Sequence, residues 1–147
     1  MERCLITGAA GGIGTRLRRL LKGVYPHMRL SDRVPPPDLA ADEEFVAADL
    51  ADAAAVERAV AGMQGIIHLG GISTEAPWEE ILPANIIGTY NLFEAARRGG
   101  VKRVVFASSN HVVGFYPRRR RLSAEAVPRP DTRQSPPATP AAAHWGR

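Results

Sequence analysis

The sequence has 147 residues, 45% of them hydrophobic and 23% charged, which suits one domain with a real core and excludes a disordered chain. No run approaches the roughly 18 apolar residues of a membrane span, nothing at the start resembles a secretion signal, and the single Cys4 excludes an internal disulfide, so a cytoplasmic protein is expected. The net charge of +4 does not argue for a nucleic-acid partner, because residues 1–117 carry 12 basic and 13 acidic groups and residues 118–147 carry 7 and 2.

In chain order, RCLIT (Arg3 to Thr7) is a short apolar run ending at glycine, as a buried strand does, and Cys4 within it reads as a small core residue. GAAGGIG follows, and then a helix with Leu17, Leu20 and Leu21 at helical spacing and Gly23 as its stop. HMRLSD (His27 to Asp32) is a second strand. RVPPPDLAADE is a loop, since three consecutive prolines fit no helix interior. EFVAADL is a third strand, after which Asp52 caps a helix with Val56, Ala59 and Val60 on its apolar face and Gly62 at its end. QGIIHLGG (Gln64 to Gly71) is a fourth strand, followed by a loop with Ser73, Thr74, Pro77 and Trp78. A long helix is predicted over 79–98, with Ile81, Leu82, Ile86, Leu92 and Phe93 recurring and Pro83 near its start; KRVVFASS is a fifth strand. Arg118 to Arg121 have no interleaved aromatics and read as a solvated loop face.

Near-continuous apolar strands alternating with helices imply an α/β fold, a doubly wound parallel sheet in the order 3-2-1-4-5. Ligands of such sheets bind beyond the carboxyl ends of the strands. The first of those loops places Gly8, Gly11 and Gly14 between a strand and a helix: one glycine for the tight turn, one for close approach of a pyrophosphate, one for helix packing. The helix N-terminus offers N–H groups and partial positive charge to phosphates. Asp32, 18 residues beyond Gly14, can accept the ribose hydroxyls of NAD and would repel the 2′-phosphate of NADP, a rejection that Arg33 would weaken. Asp49 and Leu50 suit the edge of the adenine, and helix capping by Asp49 is an equal alternative. For Asn85 and Asn91 helix packing or capping is favoured over catalysis.

TGAAGGIG, Asp32, Asp49-Leu50, HLGGIS at 68–73, NIIGTYNL at 85–92 and VVFASSNHVVGFYP at 104–117 resemble extended short-chain dehydrogenase/reductases, the NAD-dependent epimerase/dehydratase superfamily, and within it bacterial uronate dehydrogenases. The resemblance covers residues 3 to about 131 and implies a Rossmann-like sheet and oxidation of a uronate by NAD to an aldarolactone. It implies Gly12 and Ile13 at the pyrophosphate, Asp32 and Arg33 at the adenosine ribose, Asp49 and Leu50 near the adenine, and Leu69, Gly70, Gly71 and Ser73 along the cofactor. Ser73 also reaches the substrate, Ser109 is the catalytic serine, and Asn110 and His111 are substrate contacts; a surface histidine without a ligand is the alternative for His111. No metal site is implied, and homo-oligomerisation is left open.

The family's general base is a tyrosine with a lysine four residues later, which lowers its pKa and holds the nicotinamide ribose. After VPRPD (Val127 to Asp131) the tyrosine is due at position 134, where this chain has Gln134, and the lysine at 138, where it has Ala138; the last lysine is Lys102. Pro136, Pro137 and Pro140 interrupt the helix that should carry both. Residues 1–131 are therefore expected to be the NAD-binding domain, incomplete on its C-terminal side, and 132–147 a Pro/Ala-rich disordered tail from a shifted reading frame or premature end. The expected function is a uronate-type dehydrogenase with little activity. The alternatives are a non-catalytic dinucleotide-binding module, a sugar epimerase/dehydratase relative, an enzyme using Tyr116 or His111 as substitute base, and last a nucleic-acid binder.

Overall fold

The computed structural model describes residues 1–109. Its first unit, Met1–Ala107, is built on five parallel strands. These are β1 (Arg3–Thr7), β2 (His27–Asp32), β3 (Glu44–Ala47), β4 (Gly65–His68) and β5 (Arg103–Phe106), in the order β3-β2-β1-β4-β5. The doubly wound arrangement expected from the sequence is thus the one found. Strands three to five are shorter than their apolar runs: Ala48, Leu69 and Ala107 still donate their N–H groups to the neighbouring strand, and the residues after them, to Leu50, Gly71 and Ser109, lie outside the strands. The 131/132 boundary, the arginine cluster, Asn110, His111, Gln134 and Ala138 lie outside the described residues.

Side chains alternate across the sheet, so β1 supplies both cores. Ile6, with Ala9 and Leu30, packs under helix α1 (Gly12–Leu20) together with Leu21, Phe45, Ile67 and Leu69. Leu5 faces the other way and joins Val56, Ala59, Val60, Ile66, Leu92, Ala95 and Ala96 beneath α2 (Ala53–Val60) and α4 (Gly88–Arg98). Each fully buried Leu or Ile contributes about 1.5–3 kcal/mol. Arg29 of β2 braces α2 from below, its Nη1 donating to the Ala59 and Ala61 carbonyls at 2.9 and 2.8 Å, where a cation also opposes the negative helix end.

Two helical expectations are corrected. Leu20 is 70% exposed, and the buried positions of α1 are Gly14 and Arg18. Arg18 passes its stem inward and meets Asp38 at 3.0 Å and Glu43 at 3.2 Å, which neutralise the charge and tie down the proline-rich loop. The long helix over 79–98 is three pieces: α3 (Trp78–Ile81), a wider π-helical segment Leu82–Ile87, and α4. The widening sits at Pro83, which has no N–H to donate and whose ring would strike the carbonyl of residue 79 in a regular α-helix. Along this rod Leu92 is buried, whereas Ile86 and Phe93 are 55% and 43% exposed, so the packed face is narrower than the apolar pattern implied. Among the described residues no helix is long and apolar enough to cross a membrane.

Candidate functional site

The parallel register brings the strand ends level: Thr7 stands beside Ser31 on one side and His68 on the other, and Asp32 beside Ala47. The loops after β1 to β4 therefore open at one edge of the sheet. After β1 the chain turns at Gly8, whose φ is +67° and whose absent Cβ would lie 2.7 Å from the Gly70 N and 2.8 Å from the Leu69 carbonyl carbon. Only glycine allows both that conformation and that approach. Gly11 donates its N–H to the Gly8 carbonyl at 3.1 Å and begins α1 in extended conformation with no side-chain cap. Gly14 is buried, and a Cβ there would overlap the Gly8 carbonyl oxygen, so helix and loop are in direct backbone contact. The first intrahelical bond is Thr15 N–H to the Gly11 carbonyl, which leaves the N–H groups of Gly12, Ile13 and Gly14 without helical partners. Around Gly12 the space is open, Ile13 is 64% exposed, and no acidic residue stands in the first turn to compete for the positive helix end.

At the end of β2, Asp32 accepts the Ala10 N–H at Oδ2, 3.0 Å, and the Arg33 N–H at Oδ1, 2.7 Å. The carboxylate thus holds the glycine loop while each oxygen keeps a further lone pair for a ligand hydroxyl. Arg33 is exposed beside it. After β3, Asp49 Oδ1 accepts the Ala51 N–H at 2.9 Å, closing a turn, and the capping of α2 falls to Asp52, which accepts from Ala54 and Ala55. Leu50 is wedged between Gly70 and Gly88: a Cβ on either would come within 2.9 and 2.6 Å of it.

After β4, Leu69 packs into the core beneath α1 and Gly70 lies against Gly8. Asn85, in the π segment, accepts the Ile72 N–H at 2.7 Å and donates to the Ile72 carbonyl at 2.8 Å, clamping the stretch between Gly71 and the exposed Ser73. Asn91 donates to the Leu50 carbonyl at 2.9 Å. Both asparagines pack helix against loop, as their reading from sequence favoured. Two residues at this edge carried no assignment in sequence: Thr7, buried, and His68, fully buried with its pKa pushed down by burial to about 4. Their one sequence signal is that each is a polar residue closing an apolar strand immediately before a loop.

Unpartnered N–H groups at a helix start, open space around Gly12, and a carboxylate at the next strand end offer complementary chemistry to a pyrophosphate and a ribose diol. Gly8, Gly11, Arg33, Asp49, Leu50, Leu69, Gly70, Gly71 and Ser73 lie in the loops after β1 to β4, Gly12, Ile13 and Gly14 in the first turn of α1, and Asp32 at the end of β2. Ser109 belongs to the second unit, residues 108–147, of which only Ser108 and Ser109 are described. Among the described residues no group of three His, Cys, Asp or Glu side chains is placed to hold a metal ion.

The sequence profile of the NAD dependent epimerase/dehydratase family matches residues 4–140. Uronate dehydrogenase of Pseudomonas putida is 53% identical over 132 residues, covering 89% of this chain and 49% of that protein. A crystal structure of a mutant uronate dehydrogenase from Agrobacterium tumefaciens complexed with NAD superposes with a TM-score of 0.75 at 55% identity, over 80% of this chain and 44% of that one. Glucuronic acid dehydrogenase from Chromohalobacter salexigens superposes with a TM-score of 0.75 at 57% identity, over the same 80% and 44%. The chain spans about half the length of the curated relatives it matches.

Proposed function

The chain belongs to the NAD dependent epimerase/dehydratase family, and on that premise we propose that its strand-end loops bind NAD and that the protein is a dehydrogenase of uronate type. The observation that carries the reading is the uncapped start of α1, open at Gly12 and packed close on Gly8, with Asp32 holding the loop beside it. Gly11, Gly12, Ile13 and Gly14 would hold the pyrophosphate by backbone N–H groups and the helix dipole. Asp32 would take the adenosine ribose, with Arg33 outside it, and Asp49 and Leu50 the adenine edge. Leu69, Gly70, Gly71 and Ser73 would line the remainder of the dinucleotide. Its bound nicotinamide would supply the hydride acceptor for oxidation of a sugar acid.

Ser73, Ser109, Asn110 and His111 are the groups proposed for that substrate, with the Ser109 hydroxyl orienting the hydroxyl that is oxidised. A serine hydroxyl is not ionised near neutral pH and makes a poor base. Gln134 and Ala138 stand where the family resemblance calls for a tyrosine and a lysine. General acid–base groups typically contribute ~10²- to 10⁴-fold, so turnover of this chain should be slight. Those same two residues favour a second reading, a dinucleotide-binding module without chemistry.

Calorimetric titration with NAD and NADP, followed by an NADH absorbance assay with glucuronate and galacturonate, separates the readings. Saturable NAD binding with weak turnover on a uronate supports the first, and binding with none supports the second. Absence of NAD binding by a folded sample would sink both.

A further inference from the structure

A buried hydroxyl meets the turn after β4 from beneath, beside the Thr7 carbonyl, which shares the Leu69 N–H at 3.3 Å. Thr7 is 3% exposed at the last position of β1, and its Oγ1 accepts the N–H groups of Leu69 and Gly70, each at 3.3 Å. A hydroxyl has two lone pairs and one proton, so these two bonds occupy both lone pairs. The remaining contact, 2.7 Å to His68 Nδ1, then has one consistent assignment: the Thr7 O–H donates and Nδ1 accepts. The ring proton resides on Nε2. Burial keeps this imidazole neutral, with its pKa near 4, and its ring lies stacked on Phe106 at a centroid distance of 5.4 Å. Among the described residues Nε2 meets no hydrogen-bond partner, although His68 is 0% exposed.

A leucine of similar bulk would avoid that unpaired N–H, since an unmet buried donor is unfavourable. What histidine adds at this position is the Nδ1 acceptor. Without it the Thr7 proton is an unmet buried donor, and any rotation of the hydroxyl toward another acceptor turns a lone pair away from the amide N–H groups.

We propose that His68 is a positioning residue of the nucleotide-binding edge: by accepting the Thr7 hydroxyl proton at Nδ1, it turns both Thr7 lone pairs onto Leu69 and Gly70 and fixes the backbone against which Gly8 packs. The ligand served by this device rests on the NAD reading above; the device itself does not.

The test uses the full chain. The histidine nitrogen spectrum of the ¹⁵N-labelled protein should show His68 as the Nε2–H tautomer, and an Nδ1–H tautomer would overturn the proposal. His68→Leu removes the acceptor and His68→Asn restores one, its Oδ1 taking the place of Nδ1. Hydrogen exchange at the Gly70 amide should quicken about tenfold in His68→Leu and recover in His68→Asn, with Leu5 and Ile6 of β1 unchanged and Leu69 less affected because it keeps the Thr7 carbonyl. NAD affinity should follow the same order. Equal protection of Gly70 in His68→Leu overturns the proposal. If His68→Leu does not fold, Thr7→Ser against Thr7→Val reads the pair from the other side: serine should preserve both the Gly70 protection and the Nε2–H tautomer of His68, valine should lose the protection and disturb the tautomer, and an identical tautomer and protection in both overturns the idea. Failure of the unaltered chain to bind NAD refutes the ligand reading alone, and the exchange data still decide the role of His68.

Discussion

Helices α1 and α2 each leave the carboxyl edge of the same sheet, and they begin in opposite ways. α2 is closed by Asp52, whose carboxylate accepts from the Ala54 and Ala55 N–H groups. α1 begins at Gly11 with no side-chain cap and no acid in its first turn. Against an aspartate cap, a glycine at the N-cap forgoes only a few tenths of a kcal/mol, so the difference lies in the N–H groups left open rather than in stability. The same backbone need is met by a side chain at one helix and by no side chain at the other. Where a helix lacks a cap that sequence could easily supply, and glycines clear the space before it, ligand binding is the economical physical explanation.

Four experiments would break or sharpen that contrast. The largest effect is expected from filling the turn that sets the entrance to α1. Gly8→Val places a branched side chain at φ +67° and within 3 Å of the Gly70 backbone, and should cost about 3 kcal/mol in denaturant unfolding and abolish NAD binding. An unchanged transition would mean that the open helix start does not depend on this close approach.

A similar magnitude is expected from pH. The His68 imidazole has its pKa lowered from 6.5 to about 4 in the folded protein. Its contribution is complete above pH 6.5. It is lost as pH falls toward 4, because the unfolded chain takes up a proton that the folded one resists. The loss amounts to something on the order of 3 kcal/mol. Chemical unfolding across this range should therefore show a steeper acid loss in the unaltered chain than in His68→Leu. Parallel slopes would mean that burial does not hold the His68 imidazole neutral.

Next, Gly11→Asp gives α1 the kind of cap that α2 already has. NAD affinity should fall about tenfold, by occupying N–H groups and repelling phosphate, while the melting temperature holds or rises slightly. Undiminished affinity would contradict the assignment of α1 to the pyrophosphate. The smallest effect serves as the control: Asp52→Ala should cost about 1 kcal/mol of stability and leave NAD affinity within about twofold. A large loss of affinity there would show that the two helix starts are not independent.

Much of this architecture was legible in the chain because it depends on near neighbours. The alternation of apolar runs and breakers identified all five strands, and the handedness of crossovers left one simple strand order. The GAAGGIG stretch, Asp32 and the Asp52 cap are each recognisable within a few residues of themselves. Asp49 illustrates the limit: nucleotide contact and capping were equally open in sequence, and the cap proved to be Asp52, with Asp49 closing the turn before it. The helix over 79–98 was legible as helical, but its wide turn at Pro83 was not, since periodicity counts apolar positions and does not register a hydrogen bond displaced by one residue.

By itself, the sequence determined the layer order, the edge of the sheet where the glycine loop and Asp32 gather, and the backbone groups presented there, because each follows from local propensity and a two- or 3.6-residue period. It did not determine that Arg18 is buried by acids 20 and 25 residues away, that Asn85 and Asn91 hold two loops, or that Thr7 and His68 share one proton across 61 residues. Those assignments depend on which polar groups lose water together. That is decided when distant segments close on one another and each buried donor must find its acceptor.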